Sequence, residues 1–155
     1  IKHVAKKLNK KLLIKKITNL SNFYKKNFNI KPLIGILSLN PHGNTSIDGS
    51  EEKNIIMPAL KILRKKNIKV FGPFSADTVF IEVNKLKLNV VVGMYHDQIL
   101  PTIKALFKFK AINITLGLPF ARVSPDHGVA SNIMGKKIAD PSSLIECLKF
   151  LSKKK

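Results

Sequence analysis

The sequence predicts an α/β fold built on a parallel sheet, because short apolar runs alternate with amphipathic segments along the whole chain. The apolar runs are bounded by turn-forming residues, as is typical of strands that are buried on both faces. The segments between them carry apolar residues at three- to four-residue spacing, which predicts helices. Strands and helices that alternate in this way form parallel sheets through right-handed crossovers.

Four strands are predicted, at residues 33–39, 68–71, 88–94 and 112–116. Helices are predicted at residues 4–28, 51–66, after Thr78, at 101–107, from Asp126 and from Pro141. A polar loop from Gly43 to Gly49 separates the first strand from a helix whose start resembles a capping box, with Asp48 three positions before Glu51. No repeat or linker interrupts the pattern, so no domain boundary is predicted within residues 1–155.

The net charge of +19 admits a nucleic-acid-binding protein as one hypothesis. Nearly all of the positive charge is lysine, and Arg64 and Arg122 are the only arginines. Lysine pairs recur at helix-like intervals, which is typical of solvated helix faces, whereas nucleic-acid sites combine arginine with exposed aromatic side chains. We therefore expect no nucleic-acid partner, and a weak salt dependence of DNA affinity would agree with that expectation.

The chain contains no apolar run of the roughly 20 residues that a membrane-spanning helix needs. Its first residues also lack the apolar stretch of a signal peptide. Cys147 is the only cysteine, so one chain can form neither a disulfide framework nor a cysteine metal site. We expect a cytoplasmic protein without a membrane partner, with Cys147 as a buried thiol on a helix.

Polar residues follow three of the predicted strands, at the sheet edge where parallel sheets bind ligands. The first two clusters contain His42 and His96, whose imidazole rings can bind a divalent metal, and Asp97 or Asp77 can add an oxygen or orient a ring. Each histidine can equally be a capping residue at a strand end. Because two histidines do not complete a metal site, the spacing alone leaves both interpretations open.

The third cluster, from Gly117 to Gly128, contains Arg122, Asp126 and His127. Arg122 can bind a phosphate or carboxylate with its two-pronged guanidinium, and Lys104 is a second candidate cation; either can also be an ordinary surface residue. His127 is a further site candidate or a feature of a helix start. The chain has no GxGxxG, no phosphate-binding loop of the GxxxxGK type and no nucleophile elbow around Ser124.

The motifs at these strand ends resemble, in order and spacing, those of the 4-hydroxythreonine-4-phosphate dehydrogenase family. The matching segments are residues 39–42, 72–73, 76–78, 94–98, 113–120 with Arg122, and 126–128. The resemblance implies an α/β/α fold like that of isocitrate and isopropylmalate dehydrogenases, of which this chain is the C-terminal portion. It also implies a homodimer with its active site at the subunit interface.

The resemblance further implies NAD and a divalent metal (zinc, magnesium or cobalt) as cofactors, with His42 and His96 as two of three metal-binding histidines. Lys104, Asn113 and Arg122 match residues that contact the phosphorylated amino-acid substrate. The implied reaction oxidises the substrate's secondary alcohol to a β-keto acid, which loses CO2 to give 3-amino-2-oxopropyl phosphate in vitamin B6 biosynthesis.

The family's remaining metal histidine precedes the position of Ile1, and His3 aligns where the family has an acidic residue, so His3 is not expected to replace it. The loop from Gly43 to Ser50 is also shorter than is usual in the family. We therefore expect the chain alone to be inactive. One alternative is an inactive fragment of a split or decaying gene that serves only as a non-catalytic fold or interaction module.

Overall fold

The structure is a computed structural model in which residues 2–43 and 48–153 are described. Part of the predicted polar loop, residues 44–47, lies outside the described residues. The chain divides into two compact units, Ile1–Leu100 (the first unit) and Pro101–Lys155 (the second unit). Each unit is described by itself.

The first unit begins with two helices, α1 (Lys2–Lys7) and α2 (Lys10–Phe28). The sequence pattern predicts one helix here, and that prediction is wrong at Asn9. Asn9 has an extended backbone, and its side chain accepts a hydrogen bond from the backbone N–H of Leu12 at 2.8 Å. An asparagine in this role satisfies a free N–H at a helix start, so α2 begins as a new helix.

Strand β1 (Ile34–Leu37) is buried at all four positions. It is followed by a single π-helical turn (Glu52–Ile56) and helix α3 (Met57–Lys65), which agree with the predicted helix at 51–66. Pro58 has no N–H with which to continue a regular helical ladder into this turn, which is consistent with the wider turn just before it.

Strands β2 (Val70–Phe74) and β3 (Val90–Val92) flank β1 in a parallel sheet of order β2-β1-β3. On the β3 side the register pairs Ile34 with Val90 and Ile36 with Val92. The core of the first unit lies between this sheet and the helices and is formed by Leu13, Ile17, Ile34, Ile36, Ile56, Ala59, Leu60, Leu63 and Val70. The predicted parallel sheet and its three strands are therefore confirmed.

A short helix, α4 (Val79–Glu82), follows β2 as predicted, and helix α5 (Leu100–Phe107) follows β3. The second unit then contains β4 (Ile112–Thr115) and β5 (Arg122–Pro125), which pair antiparallel in a separate two-stranded sheet. The prediction that the fourth strand joins the parallel sheet is wrong. β4 pairs instead with β5, and the few residues between them are too short for a parallel crossover, so the two strands form an antiparallel hairpin.

The last helix is α6 (Ser142–Ser152), as the sequence predicts. No helix begins at Asp126; instead a short 3₁₀ turn lies at Ser131–Ile133. Cys147 is buried on α6, and burial raises the pKa of its thiol. It is the only apolar side chain of the second unit that is fully buried among the described residues.

Several large apolar side chains of the second unit are exposed, including Phe120, Val129, Met134 and Leu148. A compact unit that buries so little apolar surface is not by itself an independent domain. The absence of an internal domain boundary therefore stays a prediction.

No helix among the described residues is both long enough and apolar enough to cross a membrane.

Candidate functional site

The turn after β1 presents His42 at the C-terminal edge of the parallel sheet. The side-chain oxygen of Asn40 accepts the backbone N–H of His42 at 3.0 Å, and the Asn40 carbonyl accepts the N–H of Gly43 at 3.0 Å. An asparagine that bonds the backbone two residues ahead fixes a tight turn. His42 is exposed, so its imidazole is open to a ligand.

The turn after β2 contacts the His42 turn. The hydroxyl of Ser75 lies within hydrogen-bonding distance of the Pro41 carbonyl and of the Asp77 carboxylate. This Ser75 hydrogen bond, with a smaller contribution from His42, holds the pKa of Asp77 below its ordinary value. The structure therefore brings Asp77 into the electrostatic neighbourhood of His42.

We expect the substitution Ser75→Ala to raise the pKa of Asp77 toward its ordinary value. Because the folded-state pKa of Asp77 is depressed, its contribution to stability is present above the unfolded-state pKa and is lost as the pH falls through the folded-state pKa. An NMR titration of the Asp77 carboxyl carbon, compared between the wild-type and Ser75→Ala proteins, measures the shift. An unchanged Asp77 pKa would contradict the assigned cause.

The segment after β3 presents His96 at the same edge, since β1 and β3 are adjacent and parallel. Residues His96–Gln98 form one 3₁₀ turn, in which the Nδ1 atom of His96 lies 2.7 Å from a carboxylate oxygen of Asp97. With Nδ1–H donating to Asp97, the Nε2 atom carries the free lone pair. Both His96 and Asp97 are largely exposed.

In the second unit, Lys104 and Asp126 form an ion pair at 2.9 Å that is partly buried. The Lys104 ammonium also donates to the backbone carbonyl of Asp126. The N–H of Asp126 donates to the hydroxyl of Ser143, which in turn donates to the Ala111 carbonyl at 2.6 Å. An ammonium has three N–H donors, and the carboxylate and the carbonyl of Asp126 occupy two of those of Lys104. One donor remains for a further ligand.

Asn113 and Arg122 lie on one face of the β4–β5 hairpin. The register pairs Asn113 with Ser124 and Thr115 with Arg122, and directly opposed residues share a face. A terminal nitrogen of Arg122 donates to the Thr115 hydroxyl at 2.8 Å, which orients an otherwise exposed guanidinium. This face therefore combines one amide, two hydroxyls and one oriented cation.

His127 is exposed, and its Nδ1 atom lies 3.1 Å from the carbonyl oxygen of Gly128. Its predicted alternative role at a helix start is wrong, because the backbone after Asp126 is irregular as far as Ala130. Its proposed role in a site stays a prediction.

Residues 1–151 match the family model described as pyridoxal phosphate biosynthetic protein PdxA. The chain belongs to the PdxA family. The family resemblance predicted from the strand-end motifs is therefore confirmed.

Two curated relatives are both named 4-hydroxythreonine-4-phosphate dehydrogenase. The protein of Sulfurihydrogenibium sp. is 47% identical over 153 residues, covering 97% of this chain and 47% of its own length. The protein of Bradyrhizobium diazoefficiens is 41% identical over 155 residues, covering 99% and 45%. The chain thus spans about half the length of the curated relatives it matches.

A solved structure of the 4-hydroxythreonine-4-phosphate dehydrogenase of Klebsiella pneumoniae superposes with a TM-score of 0.83 at 32% identity. The alignment covers 99% of this chain and 47% of that protein. The α/β fold predicted from the sequence is therefore the fold of the PdxA family.

The motif resemblance predicts a divalent metal, and its ligands would come from side chains of the kind found at these strand ends. His42 and His96 are both exposed imidazoles at one sheet edge, and imidazole is a donor type that divalent cations accept. Among residues 2–43 and 48–153, no group of three or more histidine, cysteine, aspartate or glutamate side chains is placed to hold a metal ion. The ligand roles of His42 and His96 therefore stay predictions.

Sequence reasoning missed several polar residues that organise these segments. Glu52, Gln98 and Ser143 are buried and hydrogen-bonded, and Thr115 orients Arg122. A glutamine next to a His-Asp pair and a serine at a helix start are common in any sequence. Only their burial in the folded chain distinguishes them.

Proposed function

We propose that this chain supplies the C-terminal portion of a 4-hydroxythreonine-4-phosphate dehydrogenase of pyridoxal phosphate biosynthesis. The observation that carries the proposal is the match of residues 1–151 to the PdxA family model. The placement of His42 and His96 at the ends of neighbouring parallel strands supports it.

The proposed reaction transfers a hydride from the substrate's secondary alcohol carbon to NAD and releases the hydroxyl proton, which leaves a β-keto acid. Cleavage of the bond to the carboxylate then releases CO2, and the α-carbon takes up a proton, which gives 3-amino-2-oxopropyl phosphate. A divalent cation, when bound, would polarise the reacting oxygen as a Lewis acid. In the first unit, His42 and His96 would hold that cation, and Asp97 would keep the His96 ring oriented.

In the second unit, Arg122, Asn113 and Lys104 would hold the phosphorylated substrate. Arg122 offers a two-pronged donor already oriented by Thr115, and a phosphate matches this geometry. Asp126 fixes the position of the Lys104 ammonium, so less side-chain freedom is lost when substrate binds. Neither Asp77 nor His127 is given a bond-making role, and no residue of this chain is assigned to NAD.

The proposal is tested by measuring NAD reduction with 4-hydroxythreonine 4-phosphate and added Zn²⁺, Mg²⁺ or Co²⁺. We expect no activity from the chain alone. We expect activity when a family N-terminal half is supplied separately, because that half brings the remaining residues of the site. Size-exclusion chromatography of the mixture shows whether the halves assemble and whether the proposed homodimer forms.

An assembled mixture without activity would contradict the proposal. The chain would then keep the family fold without its reaction, as a non-catalytic remnant or interaction module. Activity of the chain by itself would contradict the proposed division of the site between two halves.

A further inference from the structure

The described chain contains four buried polar side chains, and three of them lie together at the C-terminal end of β1. These are Ser38, Glu52 and Gln98, and the fourth, Ser143, belongs to the second unit. None of these three belongs to the apolar core cluster of the first unit. Buried polar groups stabilise a fold only when their hydrogen bonds are satisfied, so a cluster of them specifies one arrangement of the chain.

The side chain of Gln98 joins the ends of β1 and β3. Its oxygen accepts the backbone N–H of Met94 at 2.7 Å, and its amide nitrogen donates to the carbonyl of Ser38 at 2.7 Å. Gln98 lies two residues after His96, and Ser38 lies four residues before His42. One amide group therefore bridges the two segments that carry the histidines.

The side chain of Glu52, which follows the His42 turn in the sequence, also binds the backbone at the end of β1. One carboxylate oxygen accepts the N–H groups of Leu39 and Asn40, both at 2.8 Å. Asn40 then fixes the turn at His42 through its own side chain. Glu52 thus connects the π-helical turn to the backbone that presents His42.

We propose that Gln98 and Glu52 are positioning residues that set the separation and orientation of His42 and His96. The inference rests on the proposed function, in which these histidines bind a divalent cation. Both side chains are buried and hydrogen-bonded to the backbone, which favours a structural role over a ligand role for them. The hydrogen bonds of Gln98 and Glu52 hold main-chain atoms that lie within four residues of His42 or His96. They therefore fix the backbone from which each imidazole projects.

The probe is Cu²⁺ binding to the full chain, followed by EPR, in which the superhyperfine splitting from ligand ¹⁴N nuclei counts the nitrogen atoms bound to the ion. His3 and His127 are replaced by alanine in every variant, so that only His42 and His96 remain of the four histidines. We expect this parent protein to show two bound imidazoles. The substitutions Gln98→Met and Glu52→Leu, which keep side-chain size and remove the hydrogen bonds, are expected to leave one.

The expected loss of Cu²⁺ affinity in Gln98→Met and in Glu52→Leu is roughly 10- to 100-fold, the range found when hydrogen-bonding partners of metal ligands are removed. Glu52→Gln keeps an oxygen that can accept both N–H groups, so it is expected to retain two bound imidazoles. This rescue separates the loss of hydrogen bonds from any change in size, and it keeps the inference testable if Glu52→Leu fails to fold.

Leu13→Ala is the matched control, because Leu13 lies in the apolar core of the first unit and takes no part in the hydrogen bonds of Gln98 or Glu52. It destabilises the same unit and is expected to leave two imidazoles bound. An equal loss of affinity in Leu13→Ala would overturn the inference, as would two bound imidazoles in both Gln98→Met and Glu52→Leu. A parent protein that never binds Cu²⁺ through two imidazoles would instead overturn the proposed ligand role of the histidines.

Discussion

The substitution Gly72→Ala is expected to destabilise the protein by about 3 kcal/mol, through backbone strain combined with a steric clash. Gly72 has a φ of +112° in strand β2, a conformation that residues with a side chain rarely adopt. A Cβ atom built there would lie far inside contact distance of the Ile36 carbonyl, in the central strand. Backbone atoms of a buried strand cannot move aside as a flexible side chain can.

The midpoint of urea unfolding measures this loss, and Gly49→Ala is its matched control. Gly49 also has a positive φ, of +83°, but a Cβ atom at that position would contact nothing within 4 Å. Its substitution is expected to cost only about 1 kcal/mol of backbone strain. Equal midpoint shifts for the two variants would show that the contact with Ile36 is unimportant.

Gly72 also illustrates how far the sequence predicts this fold. The Gly72–Pro73 pair is a turn signal, and the sequence places it after the end of a strand. In the structure it lies inside β2, which continues to Phe74. Pairing with β1 is irregular here and resumes at Phe74, which lies opposite Leu37. That long-range contact has no local sequence pattern.

Strand β1 was predictable because its whole length is apolar. Ile34–Leu37 is buried at every position, and such runs have few alternatives to a central strand. Strand β5 was not predicted, because Arg122–Pro125 is partly exposed and shows no clear apolar alternation. The pairing of β5 with β4 places Arg122 opposite Thr115, whose hydroxyl orients the guanidinium. Because β5 was not predicted, this contact was not predicted either.

The strand-end histidines could be placed from the sequence, but their supports could not. His42 and His96 each terminate an apolar run, which is a local signal. The hydrogen bond from Gln98 to Ser38 joins residues 60 positions apart. A bond of that range depends on which strands are neighbours, and a single sequence does not give the order β2-β1-β3.

The substitution Arg122→Ala in the assembled enzyme is expected to lower kcat/KM for 4-hydroxythreonine 4-phosphate by roughly 100-fold, about 2.7 kcal/mol. The guanidinium is proposed to bind the substrate phosphate through two parallel hydrogen bonds. Most of the loss is expected in KM, because the phosphate does not change during the oxidation and is held equally before and during the reaction. Arg122→Lys is expected to recover only part, since an ammonium keeps the charge without the two-pronged geometry.

Arg64 provides the matched control, as the only other arginine of the chain. Its Nε atom donates to the Val70 carbonyl at 3.0 Å, a contact between α3 and β2 within the first unit. Arg64→Ala removes the same charge and is expected to lower the unfolding midpoint while leaving KM unchanged. If both variants raised KM equally, the effect of Arg122 would come from net charge rather than from a phosphate contact. If Arg122→Ala left KM unchanged, the hairpin face would not bind the substrate phosphate at all.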